Sequence, residues 1–130
     1  MSLHSIATAG LRTIRQITNL HELRFYTGQN GLAITIELLK SSLPGAPVIN
    51  QEGQNVGFIS EFDVLSALES EREIAQLTAE DIMVHDHITV SLSTTIKQAV
   101  KLMKENHVLV LPVEEYHFLQ PEGPIHGFLS

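Results

Sequence analysis

The sequence predicts an α+β (α/β) fold written twice, each copy a β-α-β-β-α unit. Three observations carry that reading. Pro47-Val48 followed by Gly57-Phe58-Ile59-Ser60 returns as Pro112-Val113 followed by Gly127-Phe128-Leu129-Ser130, with offsets of 65 (112 − 47) and 70 (127 − 57) residues. Residues Ile96, Ala99, Val100 and Met103 fall at i, i+3, i+4 and i+7, one apolar face of a helix. The run 108–113 that follows is apolar and short enough for a buried strand. A repeat at fixed spacing makes one copy, rather than the whole chain, the unit to explain.

Shifting the first copy by 65 lays Thr13-Ile14-Arg15-Gln16-Ile17 over Thr78-Ala79-Glu80-Asp81-Ile82, and Leu23-Arg24-Phe25 over Ile88-Thr89-Val90. In copy one, residues 23–26 read as extended, 34–40 as helical and 46–49 as a strand. Gln51-Glu52-Gly53-Gln54 is a turn, and 56–59 is the return strand of a hairpin. Residues 60–68 then read as a helix with Phe62, Leu65 and Leu68 in register. In copy two, Ile88-Thr89-Val90 alternates as a short strand, and Ser93 or Thr94 caps the next helix. Lys97, Lys101 and Lys104 lie on that helix's solvated side, and Asn106-His107 ends it. The offset grows by five residues between Val113 and Gly127, so copy two carries an insertion within 114–126, where Pro121, Gly123 and Pro124 suit an enlarged turn. The expected boundaries are 10–72 for repeat one and 73–130 for repeat two, together one compact module.

Composition excludes several functions. The net charge of −7 argues against non-specific nucleic-acid binding, which needs a basic surface. With no cysteine there is no disulfide, thiol nucleophile or Cys-type zinc site. No apolar run approaches the ~18 residues that suggest a membrane span, and no signal segment is visible, so a soluble, cytoplasmic protein is expected. G-x-S-x-G, P-loop and GxGxxG motifs are absent, and no enzyme is expected. Paired acids such as Glu80-Asp81 and Glu114-Glu115 read as solvated helix-start or loop residues. Phe62, Val64 and Leu65 read as core or dimer contacts.

Gly45-Ala46-Pro47-Val48-Ile49-Asn50, Val56-Gly57-Phe58-Ile59-Ser60-Glu61-Phe62-Asp63, residues 78–83 with Ile88-Thr89-Val90, Met103-Lys104-Glu105-Asn106-His107 and Leu111-Pro112-Val113 resemble, in order and in two copies, the cystathionine β-synthase (CBS) domain family. The resemblance implies a tandem pair related by a pseudo-twofold axis, which binds adenosine-type ligands (AMP, ATP, S-adenosylmethionine) in the inter-repeat cleft. It implies a regulatory, energy-sensing module, a homodimer and a regulated partner protein, with no required cofactor. The alternative is a ligand-free structural dimerisation module.

Carried over by resemblance, Asp63 bonds the ribose hydroxyls and Ser60 meets phosphate at the helix start. Ala46, Pro47, Val48, Leu111 and Pro112 line the cleft and take the adenine face. A carboxylate can accept two hydrogen bonds from a cis-diol, and a helix N-terminus favours an anion. The same Ser-x-x-Asp pattern is also a capping box, with Ser60 at N-cap and Asp63 at N3. Glu61 adds a second acid where many family members carry a basic or neutral residue. A neutral or cationic adenosyl ligand is therefore expected to be tolerated at least as well as ATP. The position matching Asp63 in copy two lies beyond Ser130, so copy two is expected to be a fragment or a degenerate site.

His85-Asp86-His87 is the densest histidine cluster, and in an extended segment the two rings would share a face. It reads as a solvated loop, and no metal site is expected. His107 aligns with Ser42 at a helix end, while the role of His117 and His126 in the insertion is not legible.

Overall fold

The computed structural model describes residues 10–16, 20–114 and 116–120. They fall into two compact units, one of 22–87 with 116–117, the other of 10–16, 20–21, 88–114 and 118–120. These units are not colinear with the repeats. Residues 10–16 of copy one pack in the second unit, and 73–87 pack in the first.

In the 22–87 unit, β2 (Phe25–Tyr26) runs parallel to β3 (Gly45–Ile49), which pairs antiparallel with β4 (Asn55–Ser60). Helices α1 (Gly31–Ser41), α2 (Glu61–Glu69) and α3 (Ala79–Ile82) complete it. Gly31, Ile34, Thr35 and Leu38 form the buried face of α1 at i, i+3, i+4 and i+7. Asn30 caps α1 by accepting from Leu32 N (2.9 Å) and Ala33 N (3.3 Å). Ser42 ends the helix in the left-handed region, with φ 57°.

The second unit holds a sheet of order β1 (Leu20–His21), β6 (His117–Leu119), β5 (Leu111–Val113), and helix α4 (Ile96–Asn106). Its core joins Ile14, Ile96, Val100, Met103, Val113 and Leu119. Val90 forms an isolated parallel bridge to Val113, as Phe25 pairs in parallel with Val48 65 residues earlier. His107 ends α4 with φ 55°, the counterpart of Ser42.

The repeat also appears in the backbone bonds. In the second unit Ile14 N donates to Thr94 O (2.8 Å) and Ile96 N to Arg12 O (2.7 Å). In the 22–87 unit Ala79 N donates to Gln29 O (2.9 Å) and Gly31 N to Leu77 O (2.7 Å). Each pair is the other shifted by 65 residues. The leader of copy one thus docks on the long helix of copy two, and the leader of copy two on that of copy one.

Several sequence expectations are corrected. The cap of α4 is Thr95, not Ser93 or Thr94. Its hydroxyl accepts from Gln98 N (3.1 Å), and the Gln98 side chain returns to Thr95 N (3.0 Å), a reciprocity that neither neighbour can make. The extended segment 88–90 reduces to the bridge at Val90. Residues 117–119, placed in an enlarged turn, form β6, because Phe118 and Leu119 are fully buried and Phe118 stacks on His21 with centroids 5.0 Å apart. Phe62, Leu65 and Leu68 are exposed, and Val64 is the buried residue of α2. The expected return strand 127–130 and His126 lie outside the described residues.

Two outcomes test this packing. A Cβ at Gly31 would lie 2.5 Å from Ile74 O and 3.2 Å from Leu77 O, both backbone atoms. Gly31→Ala is expected to lower unfolding free energy by about 1–3 kcal/mol, read by urea denaturation; an unchanged midpoint would refute the leader's close seat on α1. Asp81, at N3 of α3, titrates below the ordinary carboxylate value. The chief cause is the Thr78 N–H it accepts (2.9 Å), opposed by desolvation and helped by the Thr78 hydroxyl and Arg72. A depressed folded pKa gives stability that is present above the unfolded value and lost as pH falls through the folded one. Wild type should lose stability below about pH 4 more steeply than Asp81→Asn, measured by denaturation across that range; parallel curves would count against it.

Candidate functional site

Ser60 and Asp63 come together at the junction of β4 and α2. β4 is held by its ladder to β3, with Ser60 opposite Gly45, and by the Phe58–Val84 bridge, whose two bonds are 3.0 and 2.9 Å. Gly57 leaves room there for the Met83 side chain, which a Cβ would push aside. Glu61 N donates to Pro44 O (2.8 Å), which fixes where the helix begins. Ser60 stays extended at φ −102° and ψ 168°, as an N-cap must.

The pair closes a full capping box. Asp63 Oδ2 accepts from Ser60 N and from Ser60 Oγ, both at 2.8 Å. Asp63 N donates to Ser60 Oγ at 3.2 Å. A hydroxyl has one proton, so Ser60 cannot donate to a phosphate without releasing Asp63. Two first-turn N–H groups, of Glu61 and Asp63, are also taken. Glu61 and Asp63 place two acids against the helix dipole, which leaves little positive potential for an anion. Asp63 Oδ1 receives no hydrogen bond among the described residues, and its lone pairs can accept from hydroxyl donors. The junction is thus better equipped to receive a diol than a phosphate.

The expected adenine-facing residues have a different setting. Ala46, Pro47 and Val48 are buried in β3, the central strand of its sheet, and Leu111 and Pro112 are buried in β5. Their side chains are covered by the protein itself.

His87 Nδ1 lies 3.0 Å from His85 O, and His85 and Asp86 are exposed. No group of three His, Asp or Glu side chains able to hold a metal occurs among the described residues. His107 sits at the C-cap of α4, its N–H on Met103 O. His117 Nδ1 is 4.0 Å from Glu22 Oε1. A small cluster escaped sequence reasoning: Arg24 lies over the Tyr116 ring at 5.5 Å and donates to Tyr26 Oη at 3.1 Å. Its members are 92 residues apart (116 − 24) and share no pattern in the chain. No helix among the described residues is long and apolar enough to cross a membrane.

Residues 79–120 match the CBS domain family model. A curated relative, an uncharacterized protein of Methanocaldococcus jannaschii named MJ1404, is 28% identical over 72 residues, covering 55% of this chain and 17% of that protein. The chain therefore spans about one sixth of that relative's length. Among solved structures, the CBS domain pair of protein MJ0100 in complex with 5′-methylthioadenosine and S-adenosyl-L-methionine superposes with TM-score 0.73 at 17% identity, covering 85% of this chain and 90% of that one. CBSX2 in complex with AMP gives TM-score 0.70 at 22% identity, covering 91% and 93%. The second repeat thus matches the CBS domain model, and the chain has the fold of CBS-domain pairs.

Proposed function

We propose that the chain is a regulatory module that binds an adenosyl ligand at the start of α2, with Asp63 as ribose acceptor and Ser60 as the residue that orients it. The observation that carries the reading is the capping box with one unused carboxylate oxygen: Oδ2 is held by Ser60, and Oδ1 receives no hydrogen bond among the described residues. The complexes of similar folds with AMP and with S-adenosyl-L-methionine support an adenosyl class of ligand. The acidic first turn favours adenosine or S-adenosylmethionine over ATP, since like charge costs more near a partly desolvated site.

Regulation follows from how weakly α2 is held. Val64 is its buried residue, and helices with little buried apolar surface are the ones that open most readily. A ligand bound through Asp63 stabilises the helix start and shifts the population toward an ordered α2, which changes the surface offered to a partner protein. No bond-making step is part of this function, no cofactor is needed, and the module works in the cytoplasm. Energy sensing would follow only if adenine nucleotides compete for the site.

A second reading, a structural dimerisation module without ligand, is favoured by one observation. Phe62, Leu65 and Leu68 leave an apolar face of α2 in water, and Leu32, Ile36 and Leu39 do the same on α1.

Thermal shift with adenosine, S-adenosylmethionine, AMP and ATP separates the two. A ligand at a hundred times its dissociation constant adds about 2.7 kcal/mol. Asp63→Glu keeps an acid at N3 and so keeps a capping box, but displaces the carboxylate by one methylene. It is expected to retain apo stability and lose the ligand shift. Absence of a shift with all four compounds favours the structural reading, and an undiminished shift in Asp63→Glu removes Asp63 as the ribose acceptor. Isothermal titration should also give adenosine or S-adenosylmethionine an affinity equal to or above that of ATP; a clear ATP preference contradicts the electrostatic argument.

A further inference from the structure

We propose that α4 and the leader beside it form a cationic docking surface for a short acidic segment of a partner protein. The inference is independent of the Asp63 site, since every residue in it belongs to the other compact unit.

Charge is divided unevenly between the two units. Among the described residues, the unit that holds α4 has five basic side chains, Arg12, Arg15, Lys97, Lys101 and Lys104, against two acidic ones, Glu105 and Glu114, a net +3 with histidine neutral. The 22–87 unit has three basic side chains against eleven acidic ones, a net −8. A chain of net charge −7 thus keeps most of its cations on one unit. All five are exposed. Lys101 lies 3.9 Å from Glu105, and the other four make no ion pair among the described residues.

Lys97, Lys101 and Lys104 fall at i, i+4 and i+7 and form one stripe about 10 Å long. The leader lies beside its start: Ile96 N donates to Arg12 O at 2.7 Å, and a Cβ at Gly10 would stand 3.7 Å from Lys97 Cβ. Leu11, between those two leader residues, is 70% exposed. Ala99, Val100 and Met103 hold the inner face of α4 in the core, so the stripe sits on a packed support.

Stability alone does not account for Lys97. It is the second residue of α4, where the helix dipole disfavours a cation. The first turns of α2 and α3 carry Glu61 with Asp63 and Glu80 with Asp81 instead. Like charges at helical neighbours, Lys97 with Lys101 and Lys101 with Lys104, add to the cost. A residue set against its local preference points to a use outside the fold.

The size of the patch selects the occupant. Exposed charges are screened beyond ~8 Å at physiological salt, so a segment no longer than the stripe meets the patch alone. A nucleic acid or an anionic bilayer extends past it and meets the field of a molecule of net charge −7. Single-strand binding also uses exposed aromatic rings for stacking. This unit exposes no Phe, Tyr or Trp among the described residues, its Phe118 being buried against His21. A partner helix with acids at i, i+4 and i+7, and an apolar side chain set against Leu11, complements the surface.

The test titrates the full chain into a labelled helical peptide with glutamates at i, i+4 and i+7 and one leucine, read by fluorescence polarisation. The comparison probes are the same peptide with glutamine for glutamate, oligouridylate RNA and phosphatidylserine vesicles. The glutamate peptide is expected to bind saturably, more weakly as salt rises, and more tightly than any comparison probe. Lys97→Gln/Lys101→Gln/Lys104→Gln should raise the dissociation constant by about tenfold or more, the loss of three exposed ion pairs. Lys40→Gln on α1 should leave it unchanged. Glutamine nearly matches the helix propensity of lysine, and circular dichroism checks the fold. If the triple variant fails to fold, Lys101→Gln/Lys104→Gln decides. Absence of binding, equal binding of the glutamine peptide, tighter binding of the RNA or the vesicles, or an equal loss in Lys40→Gln overturns the surface, and each of these leaves the Asp63 site untouched.

Discussion

Two pairs of backbone hydrogen bonds, 65 residues apart, anchor the two compact units, one pair in each: those donated by Ile14 N and Ile96 N, and those donated by Ala79 N and Gly31 N. In each unit a leader segment from one copy seats against the first turn of the long helix of the other copy. Buried backbone groups must find partners, and here each leader supplies one donor and one acceptor to the helix start. Copy one therefore cannot be completed without residues 77–79, nor copy two without residues 12–14. A bridge at Thr13–Thr95 and its counterpart at Asn30–Thr78 extend the same exchange. The remaining elements take their places from it, including α3, which follows the second leader and carries α1 and α2.

The site inherits its geometry from a local rule rather than from a dedicated pocket. Ser60 and Asp63 satisfy each other as any capping box does, a contribution of about 1 kcal/mol, and the helix starts where Glu61 N meets Pro44 O. What sets the junction apart is the surplus. Asp63 needs one oxygen for the cap and keeps another. The same box at Thr78–Asp81 shows the contrast, since Asp81 Oδ1 is 3.6 Å from Arg72. Of these two boxes, the one at Ser60 leaves a carboxylate oxygen without a described partner.

Much of this was legible in the chain, for definite reasons. The 65-residue register, the inward faces of α1 and α4 and the Ser60–Asp63 cap rest on periodicity and on side chains with one strong local preference. Other features rest on contacts distant in sequence. Strands β1 and β6 are two and three residues long; β1 becomes a strand by pairing Leu20 with Leu119 and His21 with Phe118, and β6 by lying between β1 and β5. The left-handed ends at Ser42 and His107 carry neither of the residues, glycine and asparagine, that announce that conformation. Arg24, Tyr26 and Tyr116 meet only in the folded chain. Phe62, Leu65 and Leu68 share an apolar register, but periodicity cannot say whether such a face meets the core, and these three are exposed.

The most direct test of the central claim is an amide chemical-shift titration of the isotopically labelled chain with adenosine. Binding anchored at Asp63 predicts that the largest saturable shifts fall on the amides of Ser60, Glu61, Phe62, Asp63 and Val64. A titration that leaves those amides unmoved, or that concentrates its shifts on the start of α4 around Thr95, would contradict it.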